Sequence, residues 1–469
     1  MHGMIDLAEY CLEEGCNVDM ETLDTPKYLG KPTLEDPRTM MPLALACAEG
    51  QTEMAKFLIR RGASIAIGDL SSSCLWVAVR RGQVDIVHLF IGEFKERHGT
   101  EKVSEYVSRG PPKTGHPVLF IAIRGGSREI VRILLDHRCK YKDNWYKASC
   151  LLATATFNTP QITQMILEYS RQGKMNGKML ISAQGRNNRT ALREACEFGH
   201  NEVARILLDY GADWSVPDDI SNTALHKVIQ QEGDASDMAA YLLEKAYSGS
   251  TAAQLAKFLN TKNKLGRTAL MDAAARNEPL CFEVLLKYGA DWSLADNVGV
   301  TALNLACWKG YESILALLAK VAQEADKSRF EMFLNHRNEQ GKTALIDAIE
   351  TNRPSLVKQL LKLGADYMIS NKNKVTALHY GCYRGHESAI QLILDRASQH
   401  VDRAGFSEFL NARNNQGKTA LMDASETDRP SIIRLLLKLG ADYTIRDNNG
   451  FTALHYSAFR VRRPQSIVY

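Results

Sequence analysis

The sequence carries little net charge: 58 lysines and arginines stand against 54 aspartates and glutamates, leaving +4 over 469 residues. A nucleic-acid face or a polybasic membrane patch needs a clustered basic excess, and this total argues against both. Long apolar runs are also missing. None approaches the ~18 residues that span a bilayer. The opening MHGMIDLAEY has acids where a secretion signal needs a basic start and an apolar core. The ten cysteines are too sparse for a disulfide framework, and no CxxC occurs. These absences point to a reducing intracellular compartment, cytoplasm or nucleus. Length alone suggests two to four domains.

What the sequence does have is a period. The string TAL recurs at Thr190, Thr223, Thr268, Thr301, Thr343, Thr376, Thr419 and Thr452, and degenerate copies start at Met41, Ser73, Pro117 and Ser149. Successive starts lie 32, 44, 32, 41, 33, 45, 33, 42, 33, 43 and 33 residues apart. A recurring period of this size marks stacked supersecondary units. In each copy a short helix A opens at the Thr, whose oxygen suits an N-cap. A Gly or Asn about nine residues on breaks it. Helix B follows, as in NEVARILLDYG, with Val203, Ile206, Leu207 and Tyr210 at helical spacing. Pro160, Pro279, Pro354 and Pro430 fall in the first turn of helix B, where a missing N–H costs nothing. Gly211, Gly289, Gly364 and Gly440 suit a left-handed stop after it. Turn-forming runs such as RDNNG lead back to the next helix A.

TALHYGCYRGH (376–386), TALREACEFGH (190–200), LLDYGADW (207–214) and LLKLGADY (436–443) resemble the ankyrin repeat, with Ala in place of the family Pro in nearly all copies. The resemblance covers about residues 3–460. It implies an all-α, elongated solenoid of ankyrin type: a partial repeat and loop over 1–40, divergent repeats over 41–189, regular repeats over 190–451 and a partial repeat over 452–469. It also implies non-catalytic protein binding, as a scaffold or adaptor, through the concave groove and the rim of hairpins and arms. The alternative is a substrate-recruiting or regulatory segment of a larger enzyme or channel protein.

Short and long units alternate. The later short units end in GADW or GADY. The long ones instead run into LAKFLNTKNKLGR (255–267), FEMFLNHRNEQGK (330–342) and FSEFLNARNNQGK (406–418). Aligned on the next Thr, Phe409 and Leu410 take the slots of Asp442 and Tyr443. Helix B is expected to run on in every second unit, which projects an extra helical arm or an extended helix-B end. One reading is drift within a duplicated two-repeat unit; the other is a row of arms forming a binding rim. The ends break the pattern. Residues 3–15 match a unit without its helix A, residues 20–40 read as a loop, and VRRPQSIVY abandons the repeat. A segment of a longer array, a truncated product, or ends covered by a partner would each explain this.

Catalytic readings fail on spacing. QGKTAL, at 340–345 and 416–421, holds the GKT of a phosphate loop, but His336 and Ala412 stand where that loop needs glycine. His379 and Cys382 share a helix without the second pair that a closed zinc site needs. In the ankyrin family the TALH histidine, here His226, His379 and His455, ties neighbouring units together. Cys47, Cys196, Cys307 and Cys382 occupy a small buried slot. Glu194, Asp272, Asp347 and Asp423 sit four residues after their Thr, a position that faces the groove in the family. Lys227, Leu305, Tyr380 and Tyr456 lie between them. This ladder is either a solvated face or a groove for an extended basic segment. Trp214, Trp292, Tyr367 and Tyr443 follow GAD, either as core or as hairpin hot spots. No catalytic residue, cofactor, metal or nucleic acid is expected, and the chain is expected to be a monomer without a membrane span.

Overall fold

A computed structural model describes residues 2–19, 41–65, 74–108, 117–138, 144–173, 180–324 and 326–460. The loop expected at 20–40 and the segment 461–469 lie outside the described residues. The chain divides into two compact units, Met1–Asp219 and Ile220–Tyr469.

The first unit opens with the helix His2–Glu13. Helix A and helix B then alternate through the pairs Pro42–Ala48 and Thr52–Arg60, Cys74–Arg80 and Val84–His98, Val118–Arg124 and Arg128–Asp136, Asn144–Thr156 and Pro160–Arg171, and Ala191–Glu197 and Asn201–Asp209. Val203 and Leu207 are buried as their spacing predicts, while Ile206 and Tyr210 are half-buried.

The second unit repeats the pattern with more regularity. Its pairs are Ala224–Ile229 and Ser236–Gly249, Ala269–Arg276 and Pro279–Lys287, Ala302–Lys309 and Glu312–Glu324, Ala344–Glu350 and Pro354–Leu363, Ala377–Arg384 and Glu387–His400, and Ala420–Glu426 and Pro430–Lys438, followed by Ala453–Arg460. Apart from two isolated bridges, Ala295 with Thr301 and Ser370 with Thr376, every regular element among the described residues is helical.

The sequence signals act where they were read. Thr190, Thr268, Thr301, Thr343 and Thr376 each accept an N–H from the first turn of helix A. Pro160, Pro279, Pro354 and Pro430 each occupy the first position of helix B. The GAD glycines are left-handed, with φ between 85° and 97°. The fifth residue after the Thr (Ala195, Ala273, Ala306, Ala348, Gly381 and Ala424) is small because helix B crosses there. At Gly381 a Cβ would lie 2.7 Å from Ile390 Cγ1.

The hairpins close on an Asn or Asp whose side chain accepts two backbone N–H groups. Asn338 Oδ1 takes those of Gln340 and Lys342, both at 3.0 Å. Asn414 Oδ1 takes those of Gln416 (2.9 Å) and Lys418 (3.0 Å). This Asx turn satisfies polar groups that the tight turn would otherwise leave exposed.

In the long units the expected run-on of helix B is present. A second helix follows it: Ala252–Leu259, Lys327–Leu334 and Arg403–Leu410. Rather than projecting, the last two fold back on the preceding GAD segment. Phe333 meets Trp292 edge-on at 4.8 Å and Phe409 meets Tyr367 edge-on at 5.2 Å. Asn335 and Asn411 then accept the N–H of Asp366 and Asp442, both at 2.8 Å. An amphipathic helix with two apolar residues gains more by burying them than by standing in water.

Candidate interaction surface

Successive helices A of the second unit pack against one another, from Ala269–Arg276 through Ala302–Lys309, Ala344–Glu350, Ala377–Arg384 and Ala420–Glu426 to Ala453–Arg460. Because each begins directly after its Thr, equal offsets from the Thr share one face. Offsets of four and seven are helical neighbours. At those offsets stand Leu305 and Trp308, Asp347 and Glu350, Tyr380 and Tyr383, Asp423 and Glu426, and Tyr456 and Phe459. Apolar and aromatic helices thus alternate with acidic ones.

The carboxylates of the expected ladder are not solvated. Asp272 accepts a bond from Gln230 Nε2 at 2.8 Å, and Asp347 accepts one from Asn304 Nδ2 at 2.9 Å; both aspartates are buried. Asp423 is buried beside Lys418. Burial pushes the Asp347 carboxyl up to about 6 and that of Asp423 to about 7, the latter against the opposing pull of Lys418. In the first unit Glu194 is buried, 3.3 Å from Arg189 Nη1, and burial raises its carboxyl as well. Each site answers to residues of a neighbouring helix or hairpin that sequence spacing does not reveal. Lys227 is half-buried.

Tyr380 and Tyr456 are half-buried and tied down. Asn371 Nδ2 donates to Tyr380 Oη at 3.1 Å, and Tyr456 Oη donates to Asp447 Oδ2 at 2.7 Å. A lysine ammonium lies over each ring, Lys342 at 5.1 Å and Lys418 at 4.4 Å from the centroid. The same lysines bond Glu350 at 2.6 Å and Glu426 at 2.7 Å. The next turn of the aromatic helices carries large exposed side chains. Trp308 is 53% exposed, Tyr383 50% and Phe459 70%. Sequence reasoning stopped at the fourth residue after the Thr and missed these three. Adding three to that offset would have found them.

The residues after GAD divide. Trp292 and Tyr367 are buried under the folded-back helices, so they are core and not hairpin contacts. Trp214 is half-buried. Tyr443 is 67% exposed.

The residues weighed for catalysis serve the fold. His379 Nδ1 accepts the Thr376 N–H at 3.2 Å while its Nε2 meets Lys418 O at 3.1 Å, linking two units as the family pattern implies. His226 makes the same pair of contacts, to Thr223 at 3.2 Å and Arg267 O at 3.2 Å. Cys47, Cys196, Cys307 and Cys382 are buried, and their thiols are pushed above the ordinary range, Cys47 by its bond to Cys74 and the others by burial. Among the described residues no three His, Cys, Asp or Glu side chains converge as a metal ion would require, and no helix is long and apolar enough to cross a membrane.

Comparison with known proteins adds to this geometry. A family model described as ankyrin repeats (3 copies) matches residues 151–253, 246–331, 354–447 and 408–468, and a single ankyrin repeat model matches 40–70. The transient receptor potential cation channel subfamily A member 1 of Homo sapiens is 24% identical over 449 residues, 89% of this chain. This chain spans 38% of the length of that channel subunit. NF-kappa-B inhibitor delta of Mus musculus is 28% identical over 235 residues, 45% of this chain and 68% of the inhibitor. The crystal structure of the ankyrin repeat domain of Bcl-3 aligns at a TM-score of 0.41 and 26% identity, over 50% of this chain and 93% of that one.

Proposed function

Because the chain belongs to the ankyrin repeat family, whose repeats mediate protein–protein interaction, we propose that it binds a protein partner, as a scaffold or adaptor, across the helix-A face of residues 302–459. The observation that carries this is the exposure of Trp308, Tyr383 and Phe459 at one register on alternate helices. Large exposed aromatics are the side chains that interfaces bury as hot spots. Alternate units lie roughly 20 Å apart at ~10 Å per packed helix. An extended segment at ~3.3 Å per residue covers that distance in about six residues. Six is even, so apolar side chains at that spacing point to the same face. The matching partner is an extended segment with bulky apolar residues six apart.

The test is an affinity capture with the whole chain and with Trp308→Ala/Tyr383→Ala, each checked for native helical signal. Loss of the captured partners by the variant supports the reading. An unchanged partner list overturns it.

A basic segment is the second reading. The anions it would use are Glu350 and Glu426, and it would have to displace Lys342 and Lys418 from them. Glu350→Gln/Glu426→Gln abolishes capture on this reading and leaves it intact on the first. The similarity to part of a channel subunit also supports a role as the recruiting portion of a longer protein. Transcripts that extend beyond the 469 residues would test that.

A further inference from the structure

The turns between units concentrate charge that the near-neutral total hides. In the hairpin segments 261–267, 295–300, 335–342, 369–375, 411–418 and 444–451 there are ten lysines and arginines and three acids. That excess exceeds the +4 of the entire chain. Two of the acids are buried in their turns. Asp296 Oδ1 accepts the N–H of Val298 (3.0 Å) and Val300 (2.9 Å), and Asp447 Oδ1 accepts those of Asn449 (2.9 Å) and Phe451 (2.8 Å). Glu339 is the one exposed acid of these segments.

The cations are placed differently. Lys262, Lys264, Arg337, Lys372, Lys374 and Arg413 are exposed, and none has a carboxylate within ion-pair distance among the described residues. The bonds three of them make go to carbonyl oxygens: Lys262 Nζ donates to Ala295 O at 2.5 Å, Arg337 Nε to Gly341 O at 3.3 Å and Arg413 Nε to Gly417 O at 3.1 Å. Their positive charge is held in place without being cancelled.

The turns also stand in line. Each tip donates one backbone N–H to the tip before it: Asn297 to Leu265 O (3.2 Å), Glu339 to Val298 O (3.0 Å), Lys372 to Gln340 O (3.1 Å), Asn415 to Asn373 O (2.9 Å) and Asn448 to Gln416 O (3.0 Å). The row therefore advances by roughly one helix diameter, ~10 Å, per unit. At one end two tips are apolar and open, Leu265 (64% exposed) and Val298 (51%).

We propose that this hairpin edge binds an acidic, extended protein segment whose apolar residues cover Leu265 and Val298. In a polyproline II conformation, with three residues per turn at ~3.1 Å each, an acid at every third position keeps to one face and meets one turn after another. Opposite charge speeds encounter and sets register. A nucleic acid would meet the cations, but its sugar–phosphate backbone has no complement for the two apolar tips. The proposal shares with the helix-A reading only the premise that the chain binds protein, and it uses other residues.

The test titrates the whole chain with a fluorescein-labelled peptide of about six Glu-Leu-Ser repeats. A Lys-Leu-Ser peptide and an oligothymidylate of equal length run alongside. Saturable binding of the Glu peptide is expected, at least roughly tenfold weaker at about 0.5 M salt. Binding should also fall at least tenfold in Lys264→Glu/Lys372→Glu/Lys374→Glu/Arg413→Glu and stay unchanged in Trp308→Ala/Tyr383→Ala. If the reversed variant loses its helical signal, the milder Lys372→Gln/Lys374→Gln must still weaken binding about threefold. A Glu peptide that binds no tighter than the Lys peptide overturns the proposal. So does a folded charge variant that binds as well as the parent. Tighter binding of oligothymidylate assigns the edge to nucleic acid and also overturns it. Loss of captured partners in Trp308→Ala/Tyr383→Ala, with the Glu peptide still bound, leaves both readings standing; an unchanged capture sinks the helix-A reading alone.

Discussion

Phe333 stands edge-on to Trp292, with ring centroids 4.8 Å apart and planes at 72°. Phe330 closes a second side at 6.0 Å, and the Arg329 guanidinium lies 5.0 Å over the ring while bonding Asp291 Oδ1 at 2.9 Å. An aromatic that the sequence offers to a partner is thus taken by the chain's own second helix. Phe333→Ala removes most of that cover. A loss of about 3–5 kcal/mol is expected for emptying such a site, with a red shift of the Trp292 emission. An unchanged unfolding midpoint with an unshifted spectrum would contradict this packing.

His379 joins its own helix cap to the next hairpin, so its removal should loosen two units at once. With Nδ1 accepting from the backbone and Nε2 facing a carbonyl, the ring is held neutral, and burial lowers its pKa to about 4. The folded value lies below the unfolded one of ~6.5. Its stability contribution is therefore complete above pH 6.5 and is lost as pH falls toward 4. His379→Ala should cost on the order of 1–3 kcal/mol at pH 7 and flatten that acid limb. Denaturant titrations at pH 7.5 and about pH 4.5 check both effects.

Asp423 titrates in the opposite sense. Its folded value of about 7 lies above the ordinary 3.8, so the folded state holds the proton more tightly than the unfolded chain does. Stability is then favoured at low pH and declines as pH rises from about 4 through 7. Asp423→Asn should remove that decline. Relative to the parent it should gain most above pH 7 and nothing below about pH 4. A variant whose advantage grows toward acid would refute the burial argument.

Much of the fold was legible because its signals are local. A Thr cap, a Pro at the start of helix B and a Gly after it act within one turn, and Thr301, Pro354 and Gly364 behave as their types dictate. The site was less legible because it is built across units. Asp347 looks like a groove carboxylate until Asn304, 43 residues away, bonds it. Trp292 looks like a hot spot until Phe333 covers it. The basic edge is diluted because Lys264, Lys372 and Arg413 sit far apart in the chain, and only the ladder of turn-to-turn bonds gathers them.

Two glycines with similar backbones should respond differently to the same substitution. Gly289 has φ +91 and no atom within 4 Å of an added Cβ, so Gly289→Ala meets only the left-handed backbone cost of about 1–2 kcal/mol. Gly266 has φ +77, but its added Cβ would lie 2.3 Å from Asn297 Oδ1 and 2.4 Å from Asn297 N. That nitrogen donates to Leu265 O, and the side-chain amide of the same residue donates to Lys264 O at 2.8 Å. Gly266→Ala therefore forces apart two adjacent turns and breaks both bonds. It should cost about 1–3 kcal/mol beyond Gly289→Ala, the range for overpacking a closed site. Hydrogen exchange at the Asn297 amide separates the cases. Protection should be lost in Gly266→Ala and kept in Gly289→Ala, and equal protection in both would mean that the tips of these hairpins do not hold neighbouring units in register.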